Sequence, residues 1–435
     1  MSKGDVLPSE RREFEQPETG VRVVQLTDAP CRNLNGYYND EQFTADGGTY
    51  VFRSDRTGTR QLYAVDVESG AIVQLTDGDC DVGGVTVDPE RRLAYFARDG
   101  RILRLCLETL REDTVAEPIP GCGPLGGGDL SSCGRYMVLS TRAEDVRIHR
   151  YPRQFWSHGS EALVVVLDVE TGNSAIVYLG PTAEVPVAPD SHVYICRGDP
   201  SYVFWGSYTR KAPTGFKTAW HLRVDLDSLM PLADPQPLFD QRPYEFINHY
   251  YPAPDNHVQM PLYQYSHVDG DQVPVAFTRP GNVSRGGEYL PMMLDVDLRT
   301  GATRRWQFPG QPALHFKGNN AGTLWAGDCA DPGFLWFAGR DADEFRSRDA
   351  DPAECPAIPP DHSYHWDESG SWIGVFQPRG AYLEVRPLVR HRTHWKAVHP
   401  HPTFSPDDRW IAYAAGTAEQ SQIFLAEAVW PKWFM

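Results

Sequence analysis

The sequence predicts an all-β chain folded as a β-propeller of seven blades, its ring closed by an N-terminal strand that completes the last blade. Three observations carry this prediction. A unit of roughly 40–60 residues, with room for four strands, recurs along the chain. The last copy has room for only three strands. A close repeat of the first blade's outer strand, VQLTD, stands near the N-terminus as Val24–Asp28.

The clearest unit is FTADGGTYVFRSDRTGTRQLYAVDVESGAIVQLTDG, from Phe43 to Gly78. Its strands are TYVFRS, QLYAVDV and AIVQLT, and its turns are Asp46-Gly47 and Glu68-Ser69-Gly70, the chemistry of an antiparallel meander. The opening turn recurs from Val85, Asp129, Val185, Tyr250, His315 and Pro402, and the closing half recurs at Val164–Gly180 and Met292–Gly310. Seven openings give seven blades. An eighth opening at Tyr364–Gly370 is read instead as part of an insertion in blade six, because Asp341–Pro360 before it has the composition of a long loop. The chain is thus expected to be one domain over 1–435, with a polar extension at 1–20 and the closing strand at 21–27. A sandwich is the competing all-β fold, but sandwiches rarely repeat one unit along the chain.

Composition bounds the function. With 41% hydrophobic residues in 435, the chain can bury a large core. A formal net charge of -17 argues against a nucleic-acid groove that works by bulk charge, while leaving room for a local cationic pocket. There is no apolar run of membrane-spanning length and no apolar segment in MSKGDVLPSERREFEQPETG, so no membrane and a cytoplasmic location are expected. The eight cysteines form no CxxC pair and are read as reduced, mostly buried thiols.

Chemistry is expected where the starts of the blades meet on the central channel. His399 and His401, in HPHPTFSP, precede the last blade's first strand, and residues two apart in an extended segment point the same way. His315 stands in the corresponding place before blade six and His249 before blade five. Taken singly, a histidine near a strand start is usually a turn or core residue. Their shared repeat phase predicts that these four meet, with the His-x-His pair a plausible half of a metal site. His391 and His394 are read as a basic loop, and His149, His158, His192, His221, His257, His267, His362 and His365 share no phase. There is no GxSxG, P-loop or strand-linked GxGxxG, which removes serine hydrolases and nucleotide sites of those kinds.

Through HPHPTFSPDDRWIAYAA, ALHFKGNNAGTLWAGDCADP and NHYYPAPD, the chain resembles the oligogalacturonate lyases, pectin-degrading seven-bladed propellers. The resemblance runs over nearly the whole chain. It implies a divalent metal, manganese, on His315, His399 and His401, and His249 as the base. The family's glutamine ligand falls on Lys396, a poor ligand when charged, which makes Lys396 a candidate cation in its own right. Lys217 and Arg223 are candidates for a family arginine, Tyr250 or Tyr251 for the donor to the leaving oxygen. A histidine of the family's N-terminal segment is missing from CRNLNGYYNDEQF. The implied activity is β-elimination on short uronate oligosaccharides. A cation makes the proton at C5 acidic, and an imidazole, titrating near ~6.5 when unperturbed, suits its removal. The implied partner is a small acidic oligosaccharide, with no nucleic acid. The alternatives are a catalytically silent propeller that binds a sugar or a protein, favoured by these departures, and a TolB-like scaffold.

Overall fold

The computed structural model describes residues 2–126, 128–142, 162–179, 189–208, 217–241, 245–247, 249–265, 289–307, 315–329, 371–391, 393 and 398–431. Their regular structure is all strand. The strands form seven antiparallel blades arranged as a propeller. Blade 1 shows the pattern: Asn33–Leu34 lies innermost, followed outward by Thr49–Ser54, Gln61–Asp66 and Ile72–Gln74. Both its expected turns are present, with Gly47 at φ +67° and Gly70 at φ +75°, a backbone region that costs glycine little.

The ring is held by seven large apolar seams among the described residues, one between each pair of neighbouring blades. Blades 3 and 4 meet through Val164, Val166, Ile195 and Trp205. Blades 4 and 5 meet through Phe204, Tyr250, Met260 and Leu294. The seam that closes the ring joins Phe52 and Tyr63 of blade 1 to Val24, Trp410 and Leu425 of blade 7. Full burial of side chains of this size contributes about 1.5–3 kcal/mol each.

The predicted closure is present. Arg22–Gln25 pairs antiparallel with Ser421–Glu427, setting Val23 opposite Ala426 and Val24 opposite Leu425. The segment before it, expected to be only a polar extension, adds two strands. Arg12–Glu15 extends blade 7 outside Arg22–Gln25, and Val6–Leu7 extends blade 1 outside Ile72–Gln74. Glu10 pins the connection between them. It accepts the Asp28 and Ala29 N–H groups at 2.6 and 3.0 Å and pairs with the nearly buried Arg56 of blade 1 at 3.0 Å.

Two other expectations need correction. His391 is not part of a basic loop. It ends the strand Tyr382–His391, is 4% exposed, and burial holds its imidazole down at about 3, so it is neutral. Cys31, Cys80, Cys106, Cys122, Cys133 and Cys196 are free; Cys122 and Cys196 are buried, but Cys80 and Cys133 are exposed. No helix among the described residues is long and apolar enough to cross a membrane. Tyr364–Gly370 lies outside the described residues.

Candidate active site

Several inner strands are interrupted at the same end, and these interruptions deliver the site's side chains. In blade 5, Ile247 pairs with Leu262 and Tyr251 with Gln259, four residues against three. The extra residue makes a bulge, and His249 lies in it. In blade 4, Pro189 pairs with Ser207 and Val193 with Trp205, four against two, and His192 lies in that irregularity. Bulges of this kind re-aim side chains beside functional sites. In blade 7, His401 adopts φ +43° just before Thr403–Phe404. In blade 1 the inner strand leaves the sheet after Leu34, which pairs with Arg53, and returns at Phe43, opposite Tyr50. Residues 35–42 between them bond to blades 5 and 7. Asn35 donates to the carbonyls of Pro400 and His401, while Tyr38 and Asn39 both donate to the Tyr250 carbonyl.

The four histidines in repeat phase come together. Ring centroids of His315 and His401 are 4.4 Å apart, those of His315 and His399 5.1 Å, those of His399 and His401 5.2 Å, and those of His249 and His315 4.4 Å. One nitrogen from each of His315, His399 and His401 lies within 4.8 Å of the other two, so the trio is a possible metal site. Its chemistry suits a cation. The Nδ1 atom of His315 is 2.5 Å from Asp328 Oδ2, a fully buried carboxylate, which leaves Nε2 with its lone pair. The Nδ1 atom of His401 faces the Gly36 carbonyl at 3.2 Å, and its buried Nε2 has no hydrogen-bond partner. Burial holds His399 down at about 4 and His401 well below the usual imidazole range, so both are neutral, as ligands must be.

Three members of the constellation were not singled out in the sequence. His192, treated there as unphased, stands 5.5 Å from His249 by ring centroids. Tyr37 touches His192, His249, His315 and His401, at 4.8 Å for His401. Tyr38 lies beside His249, His315 and His401, wholly buried. Tyr37 and Tyr38 come from the segment that lacks the expected N-terminal histidine. His192 was hidden because VPVAPDSHVYIC reads as an opening turn followed by the second strand, whereas Pro189–Ile195 is the inner strand of blade 4 and the second strand begins at Tyr202.

The remaining candidates separate. The Tyr250 ring is buried in the blade 4–5 seam near Tyr194 and Phe204, and Tyr251 donates to the Gly318 carbonyl at 3.1 Å. Both therefore serve as packing rather than as donors to a substrate oxygen. Arg223 pairs with Tyr202, at the end of its strand away from the start of the blade, where it is exposed and its guanidinium stacks on the Tyr202 ring. Lys217 opens the same strand at the end nearer the channel mouth, opposite Tyr208. Lys396 lies outside the described residues. Beneath the histidines the channel carries paired charges: Lys317 with Glu41 and Arg197 with Asp129, each at 2.7 Å.

The comparisons agree with this architecture. A family model described as oligogalacturonate lyase matches residues 1–200. The oligogalacturonate lyase of Dickeya dadantii (strain 3937) is 21% identical over 99% of this chain and all of its own length. The oligogalacturonide lyase of Pectobacterium atrosepticum is likewise 21% identical, over 99% of this chain and all of its own. A solved oligogalacturonate lyase in complex with manganese superposes with a TM-score of 0.69 at 19% identity, over 98% of each chain. The oligogalacturonate lyase of Vibrio parahaemolyticus gives 0.70 at 18%, again over 98% of each. The fold is that of a seven-bladed propeller, shared with these solved oligogalacturonate lyases. The chain is similar to the oligogalacturonate lyases over nearly its whole length, at 21% identity to two of them.

Proposed function

We propose that this protein cleaves short uronate oligosaccharides of the oligogalacturonate type by β-elimination. The observation that carries the reading is the position of His249, its ring 4.4 Å from that of His315, beside three histidines able to hold a divalent cation. A cation held by His315, His399 and His401, manganese by analogy with the solved relative, would supply the charge that makes the proton at C5 of the uronate acidic.

The chain's own residues do the rest. His249 takes the C5 proton, the C–H electron pair becomes the C4–C5 double bond, and the C4–O bond breaks. The leaving oxygen is protonated from solvent or a neighbouring donor, so the products are an unsaturated uronate and a shortened chain. His192 and Tyr37 flank His249 and limit the directions its ring can take. Asp328 fixes the tautomer of His315, and the carbonyl of Gly36 fixes that of His401. Lys396 remains the second source of positive charge within this reading.

The test is an ultraviolet assay for unsaturated product with di- and trigalacturonate, run with added manganese and separately with EDTA. Product that EDTA abolishes supports the metal-assisted lyase. Product indifferent to EDTA keeps the elimination and transfers the charge to a side chain such as Lys396. Absence of product from these and other uronate oligomers, with binding retained, would establish a silent sugar-binding propeller instead.

A further inference from the structure

Three cations stand on the channel side of the described residues near the histidines, and they are not treated alike. Lys317 and Arg197 each have their own carboxylate at 2.7 Å. Arg53 has none within 4.0 Å among the described residues. Its Nη2 donates to the Asn35 carbonyl at 3.0 Å and its Nη1 to the Gly83 carbonyl at 3.3 Å, while the buried Nε has no partner. The nearest acid acting on it is Asp40. That carboxylate is occupied by the Tyr37 N–H at 2.7 Å, and burial pushes it up to about 7, so it carries only part of a charge at neutral pH. Burial without a close counter-charge draws the Arg53 guanidinium down to about 10. Arg53 is half-buried, and a charge so placed without its own carboxylate is costly to keep, a cost that an anionic ligand would remove.

The position is suited to one. Phe43 opposite Tyr50 in blade 1 corresponds to Phe404 opposite Ile411 in blade 7. Counting three residues onward, Arg53 occupies the place of Ala414, whose N–H bonds the carbonyl of Pro400 between the two histidines of the His-x-His pair. Arg53 is thus level with the histidines. It is also tied to them rigidly: Asn35, which accepts from the guanidinium, donates to the carbonyls of Pro400 and His401 at 2.7 and 3.0 Å.

We propose that Arg53 is a specificity-determining residue that binds a carboxylate of the oligosaccharide at the channel mouth. This inference rests on the uronate reading of the site. A guanidinium offers paired N–H donors matched to a carboxylate and is less strongly hydrated than an ammonium, so it can meet an anion without a large desolvation cost. The effect is on which sugars bind, acidic ones over neutral ones of the same size.

The test compares wild type, Arg53→Gln and Arg53→Lys for calorimetric binding of digalacturonate and of its methyl ester, alongside turnover of trigalacturonate. For Arg53→Gln the expectation is digalacturonate binding weakened by about 30-fold or more, the ester changed by less than about threefold, and KM raised more than kcat is lowered. Arg53→Lys should fall between. Equal weakening for acid and ester, or binding of the acid unchanged within twofold, overturns the assignment. Should Arg53→Gln fail to fold, Arg53→Lys decides alone, since unchanged acid-over-ester preference then overturns it. Wild type that binds the acid selectively through Arg53 yet forms no unsaturated product would sink the lyase reading and leave this one standing.

Discussion

His315 and Asp328 are joined twice: the imidazole Nδ1 meets one carboxylate oxygen at 2.5 Å, and the backbone N–H of His315 meets the other at 2.7 Å. The carboxylate thereby sets both the tautomer and the orientation of the ring. Asp328→Asn should lower manganese affinity by about 10–100-fold, measured by calorimetry, because the amide no longer holds the proton on Nδ1. Activity lost at limiting metal should return with excess metal. Unchanged affinity would show that the trio does not hold the cation.

His249→Ala should reduce turnover of trigalacturonate by about 100-fold or more while leaving manganese affinity within a few-fold of wild type. The removed ring touches His315 but is not one of the three closest nitrogen donors. A loss of metal binding equal to that of His401→Ala would instead make His249 a ligand.

Acid should destabilise the fold through His391. Its folded value is depressed to about 3, so between that value and the unfolded value the unfolded chain binds a proton that the folded one does not. Stability from this group is therefore intact above about pH 6.5 and falls by about 1.4 kcal/mol per pH unit below it. Denaturant unfolding between pH 7 and 5 should show a shallower slope for His391→Leu than for wild type, by about one proton. Parallel slopes would mean that His391 titrates normally in the fold.

Glu10→Ala should lower the melting temperature by several degrees, corresponding to about 2 kcal/mol. It leaves Arg56, only 5% exposed in its side chain, without its partner, and two N–H groups without their acceptor. Glu10→Gln should restore part of the loss. A melting curve indistinguishable from wild type would show that the N-terminal segment contributes nothing to closure.

The repeat, the blade count and the closing strand were all legible because each depends on local patterning: alternation, turn residues, and the echo of VQLTD. His249, His315, His399 and His401 were legible too, since each stands just before an inner strand resumes. His192 was not, because it falls within the inner strand Pro189–Ile195, where a register irregularity turns it toward the channel. Tyr37 and Tyr38 were hidden for a related reason. They belong to a stretch that leaves its sheet, and alternation says nothing about where such a stretch goes. Arg223 was a candidate because composition marks a cation without telling which end of its strand it occupies. Asp328 and Arg53 become meaningful only through their partners, or the lack of one, in three dimensions.

The clasp between Arg22–Gln25 and Ser421–Glu427 also orders events in time. A pairing across roughly 400 residues cannot form until almost the whole chain has been made, and contacts of such separation are slow to form. At ~5–20 residues per second, the segment carrying Val23 and Val24 must wait tens of seconds on the ribosome with its apolar side chains unsheltered. Nascent chains paused within the last blade should therefore be protease-sensitive at their beginnings, and the histidine cluster, which draws on blades 4 to 7, should be among the last parts of the molecule to assemble.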